Sequence, residues 1–312
     1  MRDTFINSLS EIIRTEPRIL LITGDLGFGV LDEFAQKYPN QFLNAGVAEQ
    51  NMTGLAAGLA LEGRIVFTYS IANFPVMRCL EQIRNDVCYH NANVKIISIG
   101  GGFSYGALGI SHHATEDISI MRSMPGMTTL VPGDIWEVAE STKALINTKG
   151  PCYLRLDKSH APRTLEKEGN FVIGKSRRLL EGNELTLIVS GGILGVALQA
   201  AQQLKEKGIH CRVESMHTIN PIDEEAIVSA ANETGGIITV EEHTIKGGLG
   251  GAVAEICLEK SAHPKIFYRL GIRSGVTSIA GSQNYLRHIH DIDENAIVFT
   301  AMSLLEKKLK LL

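Results

Sequence analysis

The chain has 312 residues, 44% of them apolar, with 30 basic and 34 acidic side chains and a formal net charge of -4. A length near twice ~150 residues predicts two domains, each with material for a sizeable core. The near-balanced, interspersed charge excludes the electrostatic footprint of a nucleic-acid or anionic-membrane binder. Five scattered cysteines with no CxxC pair exclude a disulfide frame or a zinc module. No signal-peptide core and no run of ~18 apolar residues is present, so a cytoplasmic location is expected.

In chain order, Arg2 to Arg14 carries Phe5, Ile6, Leu9, Ile12 and Ile13 at helical spacing, and Arg18 to Thr23 is a short buried strand. A loop at Gly24 to Gly29, a helix over Leu31 to Lys37 and a brief strand at Gln41 to Leu43 lead to NAGVAEQNMTGLAAGLALE, Asn44 to Glu62. In that helix Ala48, Met52, Leu55, Ala56 and Leu59 are expected on the core face, while Gly54, Ala57, Gly58 and Ala60 keep it thin. Next come a strand at Arg64 to Tyr69, a helix over Val76 to His90 and a strand at Val94 to Ile99. After the loop Gly100 to Gly109, with five glycines, the pattern resumes with a strand at Thr128 to Val131, a helix capped by Asp134, and a strand at Pro151 to Leu156.

The first domain is therefore assigned to 1–160, the charged and aperiodic stretch 161–172 to a linker, and 173–312 to a second domain. That second unit repeats the alternation: strands at Leu185 to Ser190, His210 to Glu214, Gly236 to Glu241 and Lys265 to Leu270, with helices from Leu194, Asp223 and Gly248. Ala296 to Lys310 closes it as an amphipathic helix. The expected fold is α/β, with two doubly wound domains: a larger, mostly parallel sheet followed by a smaller one.

Glu49 is a lone carboxylate at the mouth of a helix of alanine, glycine and leucine. An acid there complements the helix dipole, or it does chemistry. The Gly-rich turns fit neither GxGxxG nor GxxxxGK[ST], HHATED after the loop lacks zinc-ligand spacing, and no GxSxG elbow exists. Phe67, Tyr69 and Phe74 cluster at the end of one strand, where an aromatic face could meet a flat ring. His288 and His290 in NYLRHIHDID are read as solvated surface or oligomer contacts.

Four stretches in order resemble the pyrimidine-binding and C-terminal domains of transketolase: FLNAGVAEQNMTGLAAGLALEG, FTYSIANFPVMRCLEQIRNDV, GALGISHHATEDISIMRSMPGM and VEEHTIKGGLGGAVAE. The resemblance implies a thiamine diphosphate site shared between two chains. Glu49 then matches the glutamate that contacts a ring nitrogen of the aminopyrimidine and promotes loss of the thiazolium proton. Phe74 matches the aromatic that stacks on that ring, with Tyr69 beside it. His112 matches the histidine that faces the sugar's hydroxyls, and His113 stands where Gln is usual.

The GDG motif and following asparagine that hold diphosphate and Mg2+ in this family have no counterpart here. The resemblance thus points to the C-terminal subunit of a split transketolase, with a separate diphosphate-binding subunit completing an α2β2 heterotetramer. It would carry a two-carbon ketol unit from a ketose to an aldose. GEDGPTH reads GALGISH, so Leu108 replaces an aspartate that faces a sugar hydroxyl. Arg2 matches one phosphate-binding arginine, Lys158 stands at a second, Gly29 at a usual serine and Gly100 at a usual histidine. A non-standard sugar is implied. The rival readings are the β subunit of a 2-oxoacid dehydrogenase, half of a deoxyxylulose phosphate synthase-like enzyme, and a catalytically inert scaffold homologue. The small residues around Gly58 are expected at a subunit interface.

Overall fold

A computed structural model describes residues 1–158, 161–165, 169–273 and 278–309. Residues 166–168 of the expected linker and Lys310 of the expected closing helix lie outside the described residues. The first unit runs α1 (Arg2–Ile12), β1 (Ile19–Thr23), α2 (Asp32–Lys37), β2 (Phe42–Asn44), α3 (Glu49–Leu61), β3 (Ile65–Ile71), α4 (Asn73–Val76), α5 (Leu80–Gln82), β4 (Val94–Ile99), α6 (Asp117–Arg122), β5 (Thr128–Leu130), α7 (Ile135–Asn147) and β6 (Cys152–Leu156). The second runs β7 (Arg177–Leu180), β8 (Leu185–Ser190), α8 (Leu194–Glu206), β9 (Cys211–Ser215), β10 (Thr218–Asn220), α9 (Glu224–Glu233), β11 (Ile237–Thr244), α10 (Leu249–Glu259), β12 (Phe267–Ile272), α11 (Gln283–Ile289) and α12 (Glu294–Leu309).

Two sheets result, as expected. One has seven strands in the order β10-β5-β6-β4-β3-β1-β2 and the other five in the order β12-β11-β8-β9-β7. The pairings are parallel except at one edge of each sheet, where β10 runs against β5 and β7 against β9. Neither edge strand is legible as a strand in the sequence. β10 belongs by sequence to the second unit yet completes the first sheet, with Asn220 Nδ2 donating to Met127 O at 2.7 Å.

Alternation along the strands sends side chains to opposite layers. Ile19, Leu21, Ile65, Phe67 and Ile97 join Phe5 and Leu9 of α1 and Val138 of α7 in one core cluster. Ile22, Val66, Val94 and Ile96 join Met52, Ala56 and Ala57 of α3 in another. Both faces are therefore covered, which explains the continuous apolar strands. The second sheet repeats this plan, with Leu185, Leu187 and Val189 facing α8 and Ile188 facing α9 and α10.

Two sequence readings change. The helix expected over Val76 to His90 is broken into α4, α5 and a π-helical turn at Ile83–Cys88. There Tyr89 N bonds to Arg84 O at 3.0 Å and Ala92 N to Val87 O at 2.9 Å, five residues back in each case. Leu55, expected in the core, is 37% exposed, and with Gly54, Gly58 and Leu61 it forms the open face of α3. The described part of the expected linker is tied down: Ile135 N bonds to Ala161 O, and Thr164 Oγ1 donates to Asp134 Oδ2 at 2.6 Å.

All five cysteines are buried free thiols. Among the described residues no helix is long and apolar enough to cross a membrane.

Candidate active site

Glu49 opens α3 and is 4% exposed, with Ala48 as the residue before it and no side-chain cap. Its carboxylate is met by one cation: Arg78 Nη1 donates to Oε2 at 2.8 Å. The same guanidinium lies 4.6 Å from the ring centroid of Phe74. Phe74 meets the His112 ring edge to face at 5.2 Å, and His112 meets Tyr105 at 6.2 Å. The Lys158 ammonium stands 5.0 Å over Tyr105. A single row of contacts therefore runs from Glu49 through Arg78, Phe74, His112 and Tyr105 to Lys158, joining side chains from four loops at one end of the first sheet.

Local structure explains each placement. Phe74 and Arg78 are four residues apart, one helical turn, so the cation folds back over the ring. Asn73 is buried and donates through Nδ2 to Ile110 O (3.4 Å) and Ser111 O (3.3 Å), fixing the backbone beside His112. Ser111 Oγ lies 2.9 Å from His112 Nδ1. Burial first, and then the charge of His113, lowers the His112 pKa below its ordinary value. The imidazole is thus biased toward the neutral form.

Not every expected site residue joins the row. Tyr69 shares its strand face with Ile65 and Phe67, so alternation turns it to the α1 side, where it packs against Phe5 at 6.3 Å, away from α3. Burial raises its pKa. His113 is 1% exposed and turned away from His112, its Nε2 3.1 Å from Gly106 O and its ring edge-on to Phe103 at 5.2 Å. Leu108 is 57% exposed in a short 3-10 turn. Arg2 bonds Asp3 at 2.9 Å, and its charge acts on Tyr105 and Tyr69.

His290 is not the solvated residue expected, because its ring stacks on Phe103 at 5.1 Å and 17°. His288 is exposed and pairs with Asp293 at 2.7 Å. Sequence reading missed Arg78, Asn73, Ser111 and Tyr105. Only Arg78 carried a signal, the four-residue spacing from Phe74.

The residues fit the pyrimidine end of the implied cofactor. The Arg78 guanidinium already lies over the Phe74 ring while donating to Glu49, so a flat group with a hydrogen-bond donor has both an aromatic face and a buried acceptor here. Among the described residues no group of three or more His, Cys, Asp or Glu side chains is placed to hold a metal ion.

Residues 1–164 match the transketolase pyrimidine-binding domain and residues 174–292 the transketolase C-terminal domain. The chain belongs to the transketolase family, as a transferase subunit. One of the subunits of the apulose-4-phosphate transketolase of Phocaeicola vulgatus is 39% identical over 98% of this chain and 97% of its own length. The 6-deoxy-6-sulfo-D-fructose transketolase subunit of Clostridium sp. (strain MSTE9) is 35% identical over 99% and 95%. A solved structure described as a split gene transketolase, inactive beta4 tetramer, superposes with a TM-score of 0.86 at 33% identity, covering 98% of this chain and 97% of that one. Within the family the chain falls among the members divided between two polypeptides.

Proposed function

We propose that this chain is the glutamate-bearing half of a thiamine diphosphate-dependent transketolase that moves a two-carbon ketol unit from a ketose to an aldose. The observation that carries the reading is the pairing of buried Glu49 with a planar cation lying over the Phe74 ring. When bound, thiamine diphosphate supplies the carbon nucleophile that breaks and remakes the carbon-carbon bond. Glu49 holds a proton at the pyrimidine nitrogen, Phe74 orients the ring, and Arg78 must leave both when the ring arrives. His112 offers its imidazole to a sugar hydroxyl.

A separate diphosphate-binding chain holds the diphosphate and Mg2+, in an α2β2 assembly located in the cytoplasm, with 161–172 separating the two domains of this chain. Supporting the shared site is the open face of α3, where Gly54, Leu55, Gly58 and Leu61 follow each other at helical spacing without a polar side chain. The relative described as an inactive beta4 tetramer supports a chain that is silent without its partner.

The substrate is proposed to be a modified or less hydroxylated sugar. Leu108 offers no hydrogen bond, and a hydroxyl buried against it would forfeit ~1–3 kcal/mol. Arg2 and Lys158 beside Tyr105 supply the positive charge for a terminal anion, with Lys158 acting as a point charge and not as a bidentate fork. Two named relatives act on sugars of this kind, apulose 4-phosphate and 6-deoxy-6-sulfofructose.

The test is co-production with a subunit carrying GDG and asparagine, addition of thiamine diphosphate and Mg2+, and a mass-spectrometric screen of ketose donors. Two-carbon transfer that falls ~10²- to 10⁴-fold in Glu49→Gln supports the reading. Carbon dioxide release from a 2-oxoacid points to a dehydrogenase subunit, and absence of turnover with every donor points to a scaffold.

A further inference from the structure

The mechanism above leaves unused a buried acid from the other domain. Toward its carboxyl end β11 carries Glu241 and Glu242, neighbours that the strand turns to opposite sides. Glu241 caps its own domain's α10, accepting from Leu249 N at 2.7 Å and Gly250 N at 2.8 Å. Glu242 instead reaches across the domain boundary, where its Oε1 accepts from Phe103 N at 2.5 Å. Gln283 Nε2 donates to the same carboxylate at 2.9 Å, and Arg287 Nε closes the cluster from α11. At 3% exposure Glu242 has no water to fall back on.

Phe103 lies in the loop that carries His112. The loop is closed at its base by paired backbone bonds between Gly102 and Ala114, 2.8 and 3.0 Å. Arg155 Nη2 donates to Ala114 O at 3.2 Å and to Glu242 O at 2.9 Å, so one guanidinium ties the base to β11. Gly102 has φ +59°, and a Cβ there would collide with Glu242 Oε1. That position is therefore glycine for two reasons, its left-handed backbone and the carboxylate lying against it. Higher on the same limb, Gly281 N bonds to Gly106 O at 3.2 Å and Leu286 packs on Gly106. The C-terminal domain grips residues 102–106, while Ala107, Leu108, Ile110 and Ser111 project outward.

We propose that Glu242 is a positioning residue of the transferase site: from the C-terminal domain, it sets the shape of the 102–114 loop that holds His112 against Phe74. This rests on the transketolase reading for its consequence in turnover, but the loop geometry stands apart from it. A carboxylate suits the task because it accepts only, and three donors converge on it. Glutamine in its place turns an amide NH2 toward the Phe103 amide, the Gln283 amide or Arg287, so one donor must move.

The test has two arms. In the first, the full chain is labelled at histidine, and the ring resonances of His112 are assigned by their loss in His112→Asn. Glu242→Gln should displace or split the His112 signals while leaving those of distant His263 in place. Gly102→Ala, which drives a methyl into the same carboxylate, should do the same. Unchanged His112 signals in both variants overturn the proposal.

In the second arm the variants are assembled with the diphosphate-binding subunit and assayed with the donor and acceptor that give Glu49-dependent turnover. Loss of kcat/KM of about 10- to 100-fold is expected from a misplaced contact group, with thiamine diphosphate affinity by calorimetry unchanged within about twofold. A general structural defect would lower both, and that outcome overturns the assignment. Should Glu242→Gln fail to fold, Gln283→Leu removes one donor without touching the ion pair. It must then displace or split the His112 signals, and no shift refutes the proposal. If Glu49→Gln retains full turnover, the transketolase reading falls while the resonance arm still decides whether Glu242 shapes the loop.

Discussion

Replacing Gly58 with leucine separates the stability of the subunit from its assembly. Gly58 sits in the interior of α3 on its exposed face, and a Cβ built there meets nothing within 4 Å. The subunit itself should therefore gain: leucine is better than glycine inside a helix by about 0.8 kcal/mol. That corresponds to a rise in Tm of roughly 2 °C for a domain of this size. At a packed interface the same side chain has no room. Overfilling a close-packed contact costs ~1–3 kcal/mol, which weakens each contact about 5- to 150-fold.

The two effects have opposite signs and are read separately, by thermal melting of the isolated chain and by sedimentation velocity of a titration against the diphosphate-binding subunit. Gly58→Ala should melt at least as high as the leucine variant, alanine being the better helix former, while its assembly falls between wild type and leucine. Wild-type assembly by Gly58→Leu would show that this face of α3 is not the contact surface. A fall in Tm of the isolated chain would show that the site is packed within the subunit.

The buried charges carry the remaining predictions. His112 lies below the ordinary histidine value of 6.5 because of its burial and then the adjacent His113. The acid limb of kcat/KM should accordingly fall on the acid side of 6.5 and disappear in His112→Asn, and a limb that persists in the variant assigns it elsewhere. His217, lowered by burial to about 4, stays neutral in the native state while the unfolded chain takes up a proton near 6.5. The stability it contributes is complete above 6.5 and is withdrawn as pH falls toward 4, by up to roughly 3 kcal/mol. Asp157, raised by burial to about 6, works in the opposite sense, its share being lost as pH rises from 4 to 6. Urea melts at pH 7 and pH 5 should show His217→Gln losing less stability on acidification than wild type, and equal losses would refute the linkage. Arg155 is 2% exposed, 3.1 Å from Asp117, and holds two backbone carbonyls. Arg155→Met strands a buried carboxylate and should cost ~3–5 kcal/mol, measured as a lower urea midpoint. A variant as stable as wild type would mean the pair is neutral on balance.

Much of this fold was legible because buried parallel strands announce themselves as short apolar runs. β1, β4, β6 and β8 lie within a residue or so of where the runs predict them. The edge strands β7 and β10 were not, since RRLL and TIN are too short to show an apolar run and take their partners from distant sequence, although Leu179, Thr218 and Ile219 end up buried. The broken helix after Phe74 was hidden for a related reason: the π turn keeps Ile83, Val87 and Cys88 inward, a pattern close to helical periodicity.

At the site, Glu49, Phe74 and His112 were found through resemblance, and the geometry sets them in one row. Tyr69 shows the limit of proximity in sequence. It lies only five residues before Phe74, yet strand alternation fixes its face by parity, and parity puts it in the α1 core. Arg78 shows the opposite failure, since a lone arginine in a helix reads as solvated until the ring beneath it is seen.

The antiparallel pairing of β10 with β5 has a bearing on how such a chain can be divided. Val131 N bonds to His217 O and Thr218 pairs with Leu130, so the last strand of the first sheet is supplied from beyond the sequence that folds most of it. A chromosomal break between the two matched domains would leave β5 as an open edge, a template for aggregation. It would also leave the 102–114 loop without Glu242. The two domains of this chain thus complete each other, the second lending a strand to the first sheet and a carboxylate to its loop.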